Sequence, residues 1–100
     1  MSNLDLLKKL IKIESISPND NGCFDVIKQQ LDDLNFSFKE ISYKNISNLV
    51  ITNGNSKNKT FCFLGHTDVV PASTKEWSSN PFVATEKWIS QLGNRLQINY

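Results

Sequence analysis

The stretch "FCFLGHTDVVP", from Phe61 to Pro71, decides how the rest of this 100-residue sequence is interpreted. An apolar run leads into Gly65, the chain's single histidine, His66, follows at once, and Asp68 stands two residues later. We expect the apolar run to be a strand, so that the chain leaves it at the rim of a sheet, where α/β proteins bind ligands. Residues two apart in an extended segment project to the same side, and we therefore expect His66 and Asp68 to lie within reach of each other.

A histidine beside a carboxylate is an arrangement that suits a metal ligand. A neutral imidazole binds a metal through one nitrogen when the other carries the proton, and a carboxylate that accepts this N–H fixes the tautomer and the ring angle. The pair therefore predicts a metal ligand in His66, with Asp68 as its orienting group. The residues alone leave a plainer reading open, in which His66 is a hydrogen-bonded structural residue and Asp68 closes a turn. Zinc sites take three or four protein ligands, and the sequence holds no second histidine.

Before this turn, the spacing of apolar residues predicts two helices. The first has its apolar stripe at helical spacing, with Ser2 or Asn3 as its cap and Asp5 in its first turn. It is expected to end before "SISPND", residues 15–20, because Pro18 disfavours helix at the residue ahead of it. The second is predicted over about residues 21–34. Its apolar face consists of Phe24, Ile27, Leu31 and Leu34.

The pattern then changes to alternation, which predicts strands. The first is "FSFKEISY", with a bulge near Lys39-Glu40 that brings its apolar pairs to one face, and the second is "NLVIT". After the polar loop "NGNSKNK", the third strand "TFCFLG" is apolar on both faces, so we expect it inside the sheet with Cys62 as a small core residue. The predicted fold class is α/β, with helices packed on a mixed sheet. Trp77 and Phe82 are predicted to anchor the loop that follows.

Composition excludes several classes of protein. The net charge is +1, which gives no field that argues for nucleic acid or a membrane surface. No apolar run approaches the roughly 20 residues of a membrane span, and the N-terminal stretch has no signal-peptide pattern. The two cysteines lie outside any Cys-x-x-Cys pattern and fit a reduced, cytoplasmic protein.

Three segments together resemble one protein family. Residues 65–71, "GHTDVVP", match without a gap the Gly-His-x-Asp-Val-Val-Pro signature of the dinuclear zinc metallopeptidases and deacylases. Residues 15–23, "SISPNDNGC", and residues 76–82, "EWSSNPF", resemble two further segments of deacylases in that family, in the same order and spacing. The resemblance covers about residues 4–86 and implies that the chain is an N-terminal part of a zinc-peptidase-like catalytic domain.

The resemblance also implies a reaction. His66 takes the place of a ligand to one of two Zn²⁺ ions, with Co²⁺ as an alternative metal, and Asp68 joins the catalytic residues as the carboxylate that orients this histidine. The expected reaction of the intact enzyme, a homodimer, is amide hydrolysis of a small N-succinylated diamino acid in lysine and diaminopimelate biosynthesis. The nearest rival is an acetylornithine deacetylase-like or dipeptidase-like member of the same family. The rival from another class is a small, non-catalytic α/β module.

The resemblance fades in residues 83–100. The family continues into a Gly-Arg turn and an Ala-Asp-Met-Lys segment whose aspartate bridges the metals, whereas here Gly93 and Arg95 echo the turn and no aspartate follows. We expect an atypical tail, left by truncation or by a frame shift near Lys87. The general base and the other ligands would then be absent, so we expect the chain alone to bind zinc weakly and to be inactive.

Overall fold

The computed structural model describes residues 2–54, 57–73, 75–89 and 95–99. Two helices, a short 3₁₀ helix and four strands follow each other along the chain: α1 Asn3–Ile11, α2 Cys23–Gln30, η1 Asp32–Leu34, β1 Ser37–Tyr43, β2 Ile46–Thr52, β3 Thr85–Ile89 and β4 Arg95–Asn99. This order confirms the predicted α/β class with two helices followed by strands. The strands form two antiparallel pairs, β1 with β2 and β3 with β4. The chain divides into two compact units, residues 15–69 and residues 1–14 with 70–100.

Helix α1 begins at a reciprocal cap between Ser2 and Asp5. The Asp5 amide donates to Ser2 Oγ at 3.1 Å, while Asp5 Oδ2 accepts from the Ser2 amide at 3.3 Å and from Ser2 Oγ at 2.8 Å. These bonds satisfy N–H groups that a helix N-terminus leaves without intrahelical partners. They also lower the pKa of the Asp5 carboxyl, because they favour its charged form. The prediction that Ser2 or Asn3 caps this helix is confirmed, with Ser2 in that position.

Helix α2 is held at its start by Asp20. The carboxylate of Asp20 accepts from the amides of Gly22 and Phe24, each at 3.2 Å. Gly22 has a φ of 101°, a left-handed conformation that glycine adopts without a Cβ penalty. The helix ends at Gln30, and η1 continues the chain to Leu34. The predicted second helix is thus confirmed as α2 followed by a tighter turn.

The hairpin of β1 and β2 has an unbroken register, from Ser37 opposite Thr52 to Tyr43 opposite Ile46. The predicted bulge near Lys39-Glu40 is therefore wrong. That bulge was expected to bring the apolar residues to one buried face, but Ile41 is 48% exposed and Tyr43 72% exposed. A buried face ties the register of a strand to the alternation of its side chains. Because this hairpin has no such face, it needs no extra residue to bring its apolar side chains to one side.

The predicted third strand, residues 60–65, is not a strand in the structure. Its apolar side chains lie in solvent, with Phe61 84%, Phe63 91% and Leu64 99% exposed. An interior strand needs a hydrogen-bonded neighbour on each side, and β1 and β2 pair only with each other among the described residues. The prediction of an interior position, and with it a core position for Cys62, is wrong, since Cys62 is exposed.

The other unit contains α1 and the β3–β4 hairpin, which runs from Thr85 opposite Asn99 to Ile89 opposite Arg95. Sequence analysis predicted no element in this tail, and Gly93 lies outside the described residues. The preceding loop has Pro81 buried and both Trp77 and Phe82 half-buried, as expected for anchors. No helix in the described ranges is both long and apolar enough to cross a membrane.

Candidate functional site

The structure brings His66 and Asp68 together within residues 66–68, a short segment without regular secondary structure. Nδ1 of His66 lies 2.9 Å from the main-chain oxygen of Asp68 and 3.1 Å from its Oδ1. A main-chain oxygen can only accept a hydrogen bond, so the proton of the neutral imidazole must be on Nδ1. The other ring nitrogen, Nε2, then carries the free lone pair that a metal ion or a proton donor would use.

The imidazole is open to solvent. The side chain of His66 is 82% exposed and that of Asp68 is 51% exposed. Within the described part of the chain, the hydrogen bonds of the ring are those made by Nδ1, and Nε2 has no partner. The ring is therefore held at one nitrogen and accessible at the other.

The backbone of residues 67–69 is hydrogen-bonded to residues 15–17. The Ser15 hydroxyl donates to the main-chain oxygen of Thr67 at 2.7 Å. The Val69 amide donates to the Ser15 oxygen at 3.0 Å, and the Ser17 amide donates to the Val69 oxygen at 3.0 Å, which forms a parallel bridge between Ile16 and Val69. These bonds fix the main chain on both sides of Asp68.

Ser15 and Cys23 are the buried side chains beneath this turn, and each is 2% exposed. Burial raises the pKa of the Cys23 thiol, and a hydrogen bond with Ser15 partly opposes the rise. Sequence reasoning predicted a buried thiol at Cys62 and gave Ser15 no part in the site. The signal that pointed to Ser15 was the "SISPNDNGC" segment, whose match to the family was noted without a physical reason.

An open groove of about 760 Å³ runs past His66 and Asp68 within the unit of residues 15–69. Its walls are residues 17–20, residues 46–51 of β2 and residues 63–68, with Phe24 and Ile27 of α2. Asp20 contributes a further carboxylate to the lining, but its oxygens already accept the amides that begin α2. The acidic group beside the imidazole is therefore Asp68.

The donor atoms fit one ligand of a metal site. Nε2 is exposed, and the proton on Nδ1 is held by a carboxylate, which is the usual environment of a metal-bound histidine. Nowhere in the described ranges do three or more His, Cys, Asp or Glu side chains come together in a way that could hold a metal ion. The remaining ligands of a zinc site would have to come from outside the described residues.

No model of a known protein family matches the chain. Individual proteins do match. The succinyl-diaminopimelate desuccinylase of Buchnera aphidicola subsp. Cinara cedri is 51% identical over 85 residues, which are 84% of this chain and 22% of that protein. The enzymes of the same name from Vesicomyosocius okutanii and Sulfurimonas denitrificans are 40% and 37% identical over 85 and 87 residues.

The chain spans about a fifth of the length of the curated relatives it matches. The matches extend over about four fifths of the chain itself. They confirm the resemblance that the segments around Ser15, His66 and Trp77 predicted. Over that length, the chain is similar to the succinyl-diaminopimelate desuccinylases.

Proposed function

We propose that the chain carries one zinc ligand, His66, and its orienting carboxylate, Asp68, of a dinuclear zinc amidohydrolase. The proposed reaction of the intact enzyme is hydrolysis of N-succinyl-LL-2,6-diaminopimelate to succinate and LL-diaminopimelate. The names of the matching relatives support this substrate. The two free thiols, Cys23 and Cys62, fit a location in the reducing cytoplasm.

The single observation that carries the proposal is the hydrogen bond between His66 Nδ1 and Asp68. Because it leaves the lone pair on an exposed Nε2, a metal ion can bind there without first removing a proton or a packed side chain. A histidine with a purely structural role does not need an exposed imidazole.

When bound, a zinc pair supplies an acidified water and polarises the scissile carbonyl. This chain's own part is to hold one imidazole in a fixed tautomer, beside a groove that admits a small molecule. A catalytic zinc takes three protein ligands and leaves one position for water. We therefore propose that the isolated 100-residue chain does not turn over substrate.

The single histidine makes a direct test possible, because every imidazole signal of the chain belongs to His66. Zn²⁺ titration of ¹⁵N-labelled protein, followed by long-range ¹H–¹⁵N correlation, is expected to move the Nε2 resonance while Nδ1 keeps its proton. In parallel, succinate release from the succinylated substrate is expected to stay at the level of buffer.

The matched controls are His66→Gln, which removes the ligand, and Asp33→Asn, which neutralises an exposed carboxylate in η1. Zinc affinity should fall in the first variant and stay unchanged in the second. A Nε2 resonance that does not respond to Zn²⁺, or equal binding by His66→Gln, would show that this histidine is not a metal ligand.

A further inference from the structure

We propose that Ser15 is a positioning residue for the His66–Asp68 pair, acting through its hydrogen bond to the main-chain oxygen of Thr67. The inference deepens the proposed function and rests on it, since the pair matters only if His66 binds a metal. Ser15 is 52 residues away from Thr67 in sequence, and the two meet at 2.7 Å.

The carbonyl that Ser15 holds belongs to the peptide unit that joins Thr67 to Asp68. The C=O of Thr67 and the N–H of Asp68 are parts of one planar unit, so fixing the oxygen fixes the rotation of that unit. Because Asp68 is attached to this unit, the rotation contributes to how Asp68 presents its oxygens to the imidazole. A change in the position of the Thr67 oxygen therefore changes the support of the ring.

The hydrogen bond is partly shielded from water. Ser15 is 2% exposed, and Thr67 is half-buried. A bond in such surroundings is stronger than one in water, and its removal leaves the Thr67 carbonyl without this partner. The peptide would then turn to recover a partner, which would carry Asp68 away from its present position.

This side-chain bond is separable from the rest of the connection. The two bonds that form the bridge, from Val69 to Ser15 and from Ser17 to Val69, use main-chain atoms only. Ser15→Ala keeps both donors and both acceptors of the bridge and removes only the hydroxyl, which also hydrogen-bonds the Cys23 thiol. The variant thus tests orientation of the turn with its attachment left in place.

The experiment compares Ser15→Ala, Ser15→Thr and Ser42→Ala with the unchanged chain. Ser42→Ala is the matched control, because it removes a serine hydroxyl that bonds Ser47 in the β1–β2 hairpin at 3.0 Å. The fraction of the Nδ1–H tautomer of His66 is measured without metal at about pH 8, above the usual imidazole pKa of about 6.5. Zn²⁺ affinity is measured separately, and amide exchange of Ser17 and Val69 reports whether the bridge survives.

We expect Ser15→Ala to lower the Nδ1–H fraction and to weaken Zn²⁺ binding about 10-fold, the lower end of the range for groups that support a metal ligand. Ser15→Thr, which keeps a hydroxyl, should restore both, and Ser42→Ala should change neither. An alanine variant with the tautomer and affinity of the unchanged chain would overturn the proposal.

If Ser15→Ala loses the bridge protection, Ser15→Cys is tested instead under reducing conditions, because it keeps a side chain of the same connectivity but donates weakly. An unaltered tautomer fraction in that variant overturns the proposal, and a lowered fraction with the bridge intact supports it. The tautomer of His66 is measured without metal. If Zn²⁺ fails to bind the unchanged chain, that result counts against the proposed function, and the effect of Ser15 on the tautomer can still be measured.

Discussion

Nδ1 of His66 is within hydrogen-bonding distance of two oxygens of the same residue, the main-chain oxygen of Asp68 at 2.9 Å and its Oδ1 at 3.1 Å. The two acceptors differ in kind. The main-chain oxygen is sufficient to keep the proton on Nδ1, whereas only the carboxylate adds a negative charge beside the ring. The tautomer of this histidine therefore has support from the main chain of Asp68, while the negative charge beside the ring comes from its side chain.

The first prediction separates these two effects. Asp68→Ala should leave the Nδ1–H tautomer of His66 in place, because the main-chain acceptor remains, and should weaken Zn²⁺ binding about 10-fold through the lost carboxylate. Zn²⁺ titration and the ¹⁵N shifts of the imidazole measure both. Asp33→Asn serves as the control, and a loss of the Nδ1–H tautomer in Asp68→Ala would show that the main-chain contact does not fix it.

The second prediction concerns the two free thiols. Cys62 is exposed, whereas Cys23 is buried and has a raised pKa, so less of it is present as the reactive thiolate. Iodoacetamide at about pH 8 should modify Cys62 faster than Cys23, since burial both limits access to the Cys23 sulfur and lowers its thiolate fraction. Mass spectrometry of Cys62→Ser and Cys23→Ser gives the separate rates, and both thiols should react alike in denaturant. Equal rates in the folded chain would contradict the burial of Cys23.

The third prediction concerns acid. The folded-state pKa of Asp5 is lowered from 3.8 by its bonds with Ser2, so this cap stabilises α1 fully above the unfolded pKa. The contribution is lost as the pH falls through the lowered folded value. The ¹³Cα shifts of the first turn of α1 should therefore lose helical character below about pH 4, near the ordinary aspartate pKa. Ser2→Ala should weaken that turn at neutral pH and reduce its acid response, while Ser37→Ala in β1 should alter neither.

The fourth prediction tests the unpaired state of residues 61–65. Their amides have no ladder partner among the described strands, and they should exchange with solvent faster than the paired amides of β1 and β2. Hydrogen–deuterium exchange followed by NMR resolves the two groups in one sample. Protection of Cys62 or Leu64 equal to that of Lys39 would mean that this segment is paired after all.

The features that were predicted correctly depend on neighbours in sequence. The cap between Ser2 and Asp5 spans three residues and the contact between His66 and Asp68 spans two, so the residue types and their spacing determine both. The contact between Ser15 and Thr67 spans 52 residues. No local pattern specifies it, because it depends on how two distant segments pair.

The errors have the same origin. "TFCFLG" has the composition of an interior strand, but an interior position also requires partner strands, which composition does not supply. The bulge at Lys39-Glu40 was inferred from a buried face that β1 does not have, since Tyr43 is 72% exposed. Both predictions assumed a tertiary neighbour that the described residues do not supply. The local strand propensity of β1, by contrast, was predicted correctly.

The exposed apolar segment around Phe63 also affects whether the purified protein self-associates in solution. Phe61 and Phe63 place their ring centroids 5.2 Å apart in solvent, next to main-chain groups that can pair with another molecule. With a net charge of +1, electrostatic repulsion between molecules is too weak to keep such surfaces apart. Association between molecules will therefore limit the working concentration of the protein. Phe63→Lys, which adds a charge at the centre of residues 61–65, should raise that concentration.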